Sequence, residues 1–216
     1  MKLLDLFCGA GGAAEGYRRS GFDVTGVDIS PQPRYPFIFH QCDWREYFDQ
    51  HWYEYDVIHA SPPCQGYSVS RHIHKGSKAP LLIDTVREAL KATDKPYIIE
   101  NVAGARKHMI APITLRGNMF GLRVIRDRLF ESNILLLAPK LIPAKGGTNS
   151  HRGMSTGGEY ICVAGNNFYV EEAKAAMGID WMIGKELAQA IPPAYTEWIG
   201  SQVKNQLRIK AAVPIK

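Results

Sequence analysis

A thiol carried on a stiff backbone is the first group in this chain equipped for covalent chemistry. The segment Ser61-Pro62-Pro63-Cys64-Gln65-Gly66 follows residues 55–60, which read as a buried strand ending in small side chains. Its two prolines fix φ and remove two amide donors, so the chain must leave the sheet as an extended segment. Cys64 then falls outside the carboxyl end of a strand, where open α/β sheets place their reactive groups. A lone Pro-Cys pair is more often a turn with a semi-buried thiol, and the rest of the chain must decide between the two.

Other reactive side chains recur at strand ends. Residues 95–99 form an apolar run that continues into Glu100-Asn101-Val102. A carboxylate ending such a run needs a partner, because burying it ionised is costly. Arg126 and Arg128 stand two apart in a segment of strand character, which predicts two guanidinium groups on one face reaching one polar site. Alone, that pattern is a solvated basic edge. Near the start, a strand over 3–7 leads into Cys8-Gly9-Ala10-Gly11-Gly12 and a helix over 13–19. The glycines let the backbone approach a ligand closely, with a helix N-terminus behind it. Asp28 ends a second strand over 22–28, where an acid can hydrogen-bond the ribose hydroxyls of a nucleoside cofactor. Asp43 follows a third short strand over 37–40 and could line the same pocket.

The elements around these groups fit one domain. The chain has 216 residues, 45% hydrophobic and 22% charged, which predicts a single globular unit with at most a small added subdomain. Periodicity predicts helices over 44–51, 81–91, 171–177 and 184–191, then a closing helix from Trp198. Residues 66–80 have neither helical nor strand period, and a loop this long in a compact domain commonly serves as a lid. His72 and His74 within it have no third ligand at suitable spacing, and the four cysteines form no C-x-x-C pair. Neither a metal site nor a disulfide framework is expected. The net charge of +5 suits a polyanionic partner without requiring one. No apolar run is long enough to cross a bilayer and the opening residues lack a basic-then-apolar leader, so a cytoplasmic location and no membrane partner are expected.

Taken in order, Asp5-Leu6-Phe7-Cys8-Gly9-Ala10-Gly11-Gly12, Asp28, Asp43, Pro62-Pro63-Cys64-Gln65, Glu100-Asn101-Val102 and Arg126-x-Arg128 resemble the DNA cytosine-5 methyltransferase family over about residues 2–131. The resemblance implies an α/β fold with a doubly wound, mostly parallel sheet of the S-adenosylmethionine-dependent, Rossmann-like type. It puts Phe7, Gly9 and Gly11 on the methionine and adenine side of the cofactor, with Pro63 also lining its site. Asp28 would take the ribose hydroxyls and Asp43 the adenine amino group. Cys64 would be the nucleophile, Glu100 would bind the ring nitrogen and exocyclic amine of cytosine, and Arg128 its carbonyl oxygen, with Arg126 supporting them. Gln65, Arg71, Lys75 and Lys78 would face the nucleic acid.

The same resemblance divides the chain into a catalytic domain over 1–131, a reduced target-recognition region over 132–178, returning helices over 179–209 and a tail over 210–216. So small a recognition region implies a short or relaxed target, as in phage or mobile-element members; a monomer is expected. Two positions depart from the family wording: Val124 replaces a glutamine, and Ser201 replaces an asparagine that helps cover the cofactor. The implied activity is methyl transfer to C5 of a cytosine flipped from DNA, through a Cys64–C6 adduct. Two alternatives remain open: the same chemistry on tRNA, which favours different wording around the nucleophile, and a catalytically silent nucleic-acid-binding homologue.

Overall fold

Strand β1 (Lys2–Leu6) carries Leu3, Leu4 and Leu6 fully buried, so both of its faces are covered and it must lie inside a sheet. The computed structural model, which describes residues 1–67, 81–143, 148–149, 160–165 and 168–212, puts it there. The other strands of that sheet are β2 (Asp23–Asp28), β3 (Ile38–Gln41), β4 (Val57–Ala60), β5 (Tyr97–Val102), β6 (Ile113–Leu115) and β7 (Arg128–Ser132). The seven strands run in the order β3-β2-β1-β4-β5-β7-β6. The first five pair in parallel, while β7 is antiparallel to both β5 and β6. Strand order reverses between β1 and β4, and the crevice at such a switch point is where doubly wound sheets bind ligands. This is the expected α/β sheet.

Helices cover both faces. Leu4, Leu6, Ile58, Ala60 and Ile99 point towards α2 (Trp44–His51) and α3 (Ile83–Lys91), where they meet Phe48, Val86 and Leu90. Leu3, Val24, Val57 and Ile98 point the other way, against Tyr17 of α1 (Gly12–Arg19) and Tyr195, Ile199 and Val203 of α6 (Pro193–Ala212). Each such side chain contributes roughly 1.5–3 kcal/mol when fully buried. A third cluster lies over the glycine turn: Ala10 packs with Val124, Ile161, Val163, Phe168, Ala173, Met177 and Leu187. The last three come from α4 (Val170–Met177) and α5 (Gly184–Gln189). A short parallel pair, β8 (Thr148–Asn149) and β9 (Tyr160–Ile161), adds to this region, and Val124 bridges to Ile161.

Three expectations are corrected. The closing helix begins at Pro193, not Trp198, because the second proline of Pro192-Pro193 presets the first helical turn and does not merely stop the helix before it. That helix also continues to Ala212, into the stretch read as tail. Glu100 sits within β5 and not at its end, since antiparallel β7 extends the strand by pairing Glu100 with Phe130 and Val102 with Arg128.

A buried ion pair pins α3 to β7. Arg87 grips Glu131 through two bonds of 2.6 and 2.9 Å, and Glu131 also accepts from the Ile110 amide at 2.7 Å. The helix that follows residues 66–80 in the chain is therefore anchored to the strand that carries Arg128. On the other face α1 and α6 touch backbone to backbone. A Cβ on Gly16 would lie 2.1 Å from both Pro193 O and Thr196 Oγ1, and one on Gly200 would lie 2.2 Å from Ser20 Oγ. Gly16→Ala should therefore destabilise the fold by roughly 1–3 kcal/mol, despite alanine's better helix propensity. A urea midpoint equal to or above that of the parent would refute the close packing.

Candidate active site

The loop that carries Cys64 is stiff for the predicted reason and tied down at a point the sequence did not reveal. The Ser61 amide still pairs with Leu6 O at 3.1 Å, continuing the β1–β4 ladder, before the two prolines leave it. Asn101, 1% exposed, donates from Nδ2 to Pro62 O at 2.9 Å. Cys64 O then accepts from the Tyr67 amide at 3.0 Å, turning the chain back. Tyr67 is buried, and its hydroxyl accepts from the Ile83 amide at 3.1 Å at the start of α3. Cys64 is left half-buried on the carboxyl edge, with Pro63 half-buried beside it and Gln65 exposed.

Glu100, Arg128 and Cys64 share one electrostatic environment. Arg128 Nε lies 3.1 Å from Glu100 Oε1, with the two side chains 13% and 8% exposed. Burial pushes the Glu100 carboxyl up, opposed by Arg128, by a hydrogen bond from Ser61 and by Arg126. Burial also pushes the Cys64 thiol up, helped by the charge of Glu100 and opposed by Arg128 and Arg126. Thiol and carboxyl thus resist being anionic together, while the two arginines favour one negative charge between them.

Arg126 does not share a strand face with Arg128, contrary to the alternation expected of them. The strand begins only at Arg128, and Arg126 has a left-handed φ of 39°, which swings its side chain away. Its guanidinium donates to Ala190 O at 2.8 Å, to Ala188 O at 2.7 Å and to Val163 O at 2.5 Å. Burial and the charge of Arg128 lower its pKa to about 9. Arg126 therefore holds the third cluster and the carboxyl end of α5 against the catalytic face, and reaches Glu100 and Cys64 only through its charge.

The neighbouring pocket is built around the glycine turn. Phe7 directly follows β1 with a left-handed φ of 59° and stands 5.6 Å from the Trp44 ring, centroid to centroid. Gly9 (φ 49°) and Gly11 (φ 87°) turn the chain into α1. Gly9 has open space where a Cβ would stand. The Gly9 amide donates to Asp28 Oδ2 at 3.0 Å, and the Ser30 amide to Asp28 Oδ1 at 2.9 Å, so the acid at the end of β2 is fixed beside the turn. Asp43 is exposed and caps α2, accepting from the Arg45 amide at 2.8 Å. An aromatic wall, open space at Gly9 and a held carboxylate suit an aromatic base with a ribose diol, whereas Gly11 and Gly12 pack closely against Pro36, Tyr35 and Ile191. Ser201 instead donates to Glu197 O within its own helix, at 2.9 Å. Arg71, Lys75, Lys78, His72 and His74 lie outside the described residues. Among those described, no three metal-ligating side chains gather, and no helix is long and apolar enough to cross a membrane.

Behind Glu100 is a group that the sequence reading passed over. His59 is fully buried in β4, with Tyr17 Oη 2.9 Å from Nδ1 and Ser61 Oγ 2.9 Å from Nε2. Burial lowers its pKa to about 3, so it is neutral. A histidine inside an otherwise apolar strand was the signal, since a buried imidazole requires partners.

The fold is that of the Rossmann-like methyltransferases. The crystal structure of a DNA modification methyltransferase encoded within an E. coli prophage superposes with a TM-score of 0.64 at 18% identity, covering 96% of this chain and 99% of that one. The Dnmt2 methyltransferase of S. pombe gives 0.64 at 12% identity, with the same coverage of 96% and 99%. Residues 1–114 match the family described as C-5 cytosine-specific DNA methylase, and the chain belongs to that family. Among its relatives, the Type II methyltransferase M.AgeI of Thalassovita gelatinovora is 29% identical over 121 residues, and the chain spans 28% of its length. M.HgiGI of Herpetosiphon aurantiacus is 31% identical over 118 residues, 49% of this chain and 94% of that protein.

If Arg126 is a clamp, Arg126→Lys should cost stability, because an ammonium cannot reach three diverging carbonyls and each one left buried and unpaired costs about 1–3 kcal/mol. Chemical denaturation with an unchanged midpoint would contradict this.

Proposed function

We propose that this protein transfers a methyl group from S-adenosyl-L-methionine to C5 of a cytosine turned out of DNA. The observation that carries the reading is the half-buried Cys64 thiol in the field of the buried Glu100–Arg128 pair, at the switch-point edge of the sheet. Cytosine C5 is too weak a nucleophile to attack a methyl donor directly. Addition of a thiolate to C6 makes the ring an enamine with electron density at C5.

One proton is shared between Cys64 and Glu100 in the reactive state. Moving it from the thiol to the carboxyl relieves the repulsion between the two and leaves the thiolate in the favourable field of Arg128 and, at longer range, Arg126. Thiolate addition to C6 pushes an electron pair towards N3 and O2 of the ring. Glu100 gives its proton to N3, and Arg128 donates to O2 with the N–H groups not used on Glu100 Oε1 and Asp127 O. Bound in the pocket, the cofactor supplies an electrophilic methyl group on a sulfonium. Phe7 and Trp44 would flank its adenine, Gly9 and Gly11 would admit its backbone-facing atoms, and Asp28 would accept from the ribose hydroxyls, while Pro63 borders the side facing Cys64. Asp43, already capping α2, has its second oxygen for the adenine amine. Once C5 has accepted the methyl group, loss of the C5 proton to a water re-forms the double bond and expels the Cys64 thiolate, and N3 returns its proton to Glu100.

A base inside a duplex cannot reach Cys64, so the nucleotide must leave the stack. Gln65 is exposed beside the thiol, and Arg71, Lys75 and Lys78 follow it in the chain, where they would contact phosphates in a salt-dependent, sequence-independent way. The region beyond Ser132 would read the target.

Cys64→Ser should lower methyl transfer by at least about 1000-fold while leaving S-adenosylmethionine affinity unchanged, because the thiol acts on the base and not on the adenosyl group. DNA containing 5-fluorocytosine should trap the parent covalently, since fluorine at C5 cannot leave as a proton does. Covalent trapping that persists in Cys64→Ser would remove Cys64 from the role.

A further inference from the structure

The mechanism leaves His59 and Tyr17 unused, although both are fully buried beneath the reacting groups. A hydrogen-bonded path runs from α1 through β4 to β5: Tyr17 Oη to His59 Nδ1 at 2.9 Å, His59 Nε2 to Ser61 Oγ at 2.9 Å, and Ser61 to the Glu100 carboxyl. We propose that Tyr17, His59 and Ser61 are positioning residues for cytosine methylation, a one-way hydrogen-bond relay that aims the Ser61 hydroxyl at Glu100 and stabilises the carboxylate left when Glu100 protonates the base. This rests on the reading of Glu100 as the N3 proton donor.

The direction of the relay follows from the neutrality of His59. A neutral imidazole has one N–H, so it donates on one side and accepts on the other. Among the described residues the Tyr17 hydroxyl has no second hydrogen-bond partner, which directs its proton to Nδ1. Nε2 then carries the ring proton and donates to Ser61 Oγ, and the Ser61 proton is left for Glu100. A charged imidazole would break this order, and burial keeps His59 uncharged.

The other groups facing the relay do not reverse it. Asp5 is the strand neighbour of His59 in the β1–β4 register, and its fully buried carboxyl has no hydrogen-bond partner. Burial, with the charges of Asp28 and Glu100, pushes that carboxyl well up, and since neither of its oxygens accepts a hydrogen bond it does not take the Tyr17 proton. Arg128 and Arg126 also act on Glu100, favouring its charged form, while the charge of Glu100 acts on Cys64. Glu100 is thus held by Arg128 at one flank and Ser61 at another, which fixes the carboxyl plane before the base arrives. When Glu100 gives up its proton, the Ser61 bond becomes charge-assisted and strengthens as negative charge develops.

The sign is testable. A hydrogen bond donated to the carboxylate favours the anion, so its removal raises the Glu100 pKa. The protonated carboxyl has its own infrared C=O band, which Glu100→Gln assigns by its disappearance. Titrated with pH, that band should have its midpoint about one pH unit higher in Ser61→Ala. Tyr17→Phe should move it in the same direction by less, and Ser61→Thr should restore the parent value. In methyl transfer to DNA, Ser61→Ala should lower kcat about ten-fold with little change in KM. If Ser61→Ala does not fold, Tyr17→Phe carries the test alone. A midpoint unmoved or lowered, with or without loss of kcat, would make the path structural only and overturn the proposal. Parent-like kcat in Glu100→Gln would instead overturn Glu100 as proton donor, a separate failure with its own readout.

Discussion

Glu100 and Arg128 stand 3.1 Å apart behind Cys64, and a carboxylate at that depth would be costly without the guanidinium beside it. The pair costs desolvation that an apolar pair would not, so its presence is better explained by what it does to neighbouring charges than by stability. It allows one negative charge at the mouth of the pocket and resists a second. Much of the surrounding structure keeps that balance: antiparallel β7 brings Arg128 alongside β5, and Asn101 fixes the Pro62 carbonyl so that Cys64 faces the pair. Ser61 supplies a neutral hydrogen bond where another charge would upset it.

Two kinds of contact hold the scaffold rigid enough for this. Below the sheet, α1 and α6 meet at glycines with no room for a side chain, which locks the glycine turn to the last helix of the chain. Above it, Arg87 and Glu131 join α3 to β7, and the Tyr67 hydroxyl accepts from the Ile83 amide where α3 begins. The small cluster beyond Ser132 attaches through Arg126 and through the Trp181 indole, which donates to Ala10 O at 2.8 Å. This cluster thus touches both the glycine turn and the segment that leads into β7.

Cys64, Glu100 and Arg128 were legible because each is a reactive type next to an apolar run, and the sheet's period fixed where such residues emerge. The glycine turn and Asp28 were legible by their spacing. Arg126 was misread because its direction depends on one left-handed residue and on carbonyls 37 to 64 positions away, which no local pattern encodes. The Tyr17–His59 contact spans 42 residues and was invisible for the same reason. Pro192-Pro193 was read as a stop when its second proline is a start, since a proline satisfies both rules and only packing against α1 selects one.

The central claim is that the charge balance around Cys64 serves methylation of cytosine at C5. The most direct measurement supplies the purified protein with S-adenosylmethionine labelled in its methyl group and with DNA and tRNA in parallel, then digests each polymer to nucleosides. The account predicts label in DNA alone, as 5-methyl-2′-deoxycytidine. Label on an exocyclic nitrogen, label in tRNA alone, or none in either polymer would contradict it.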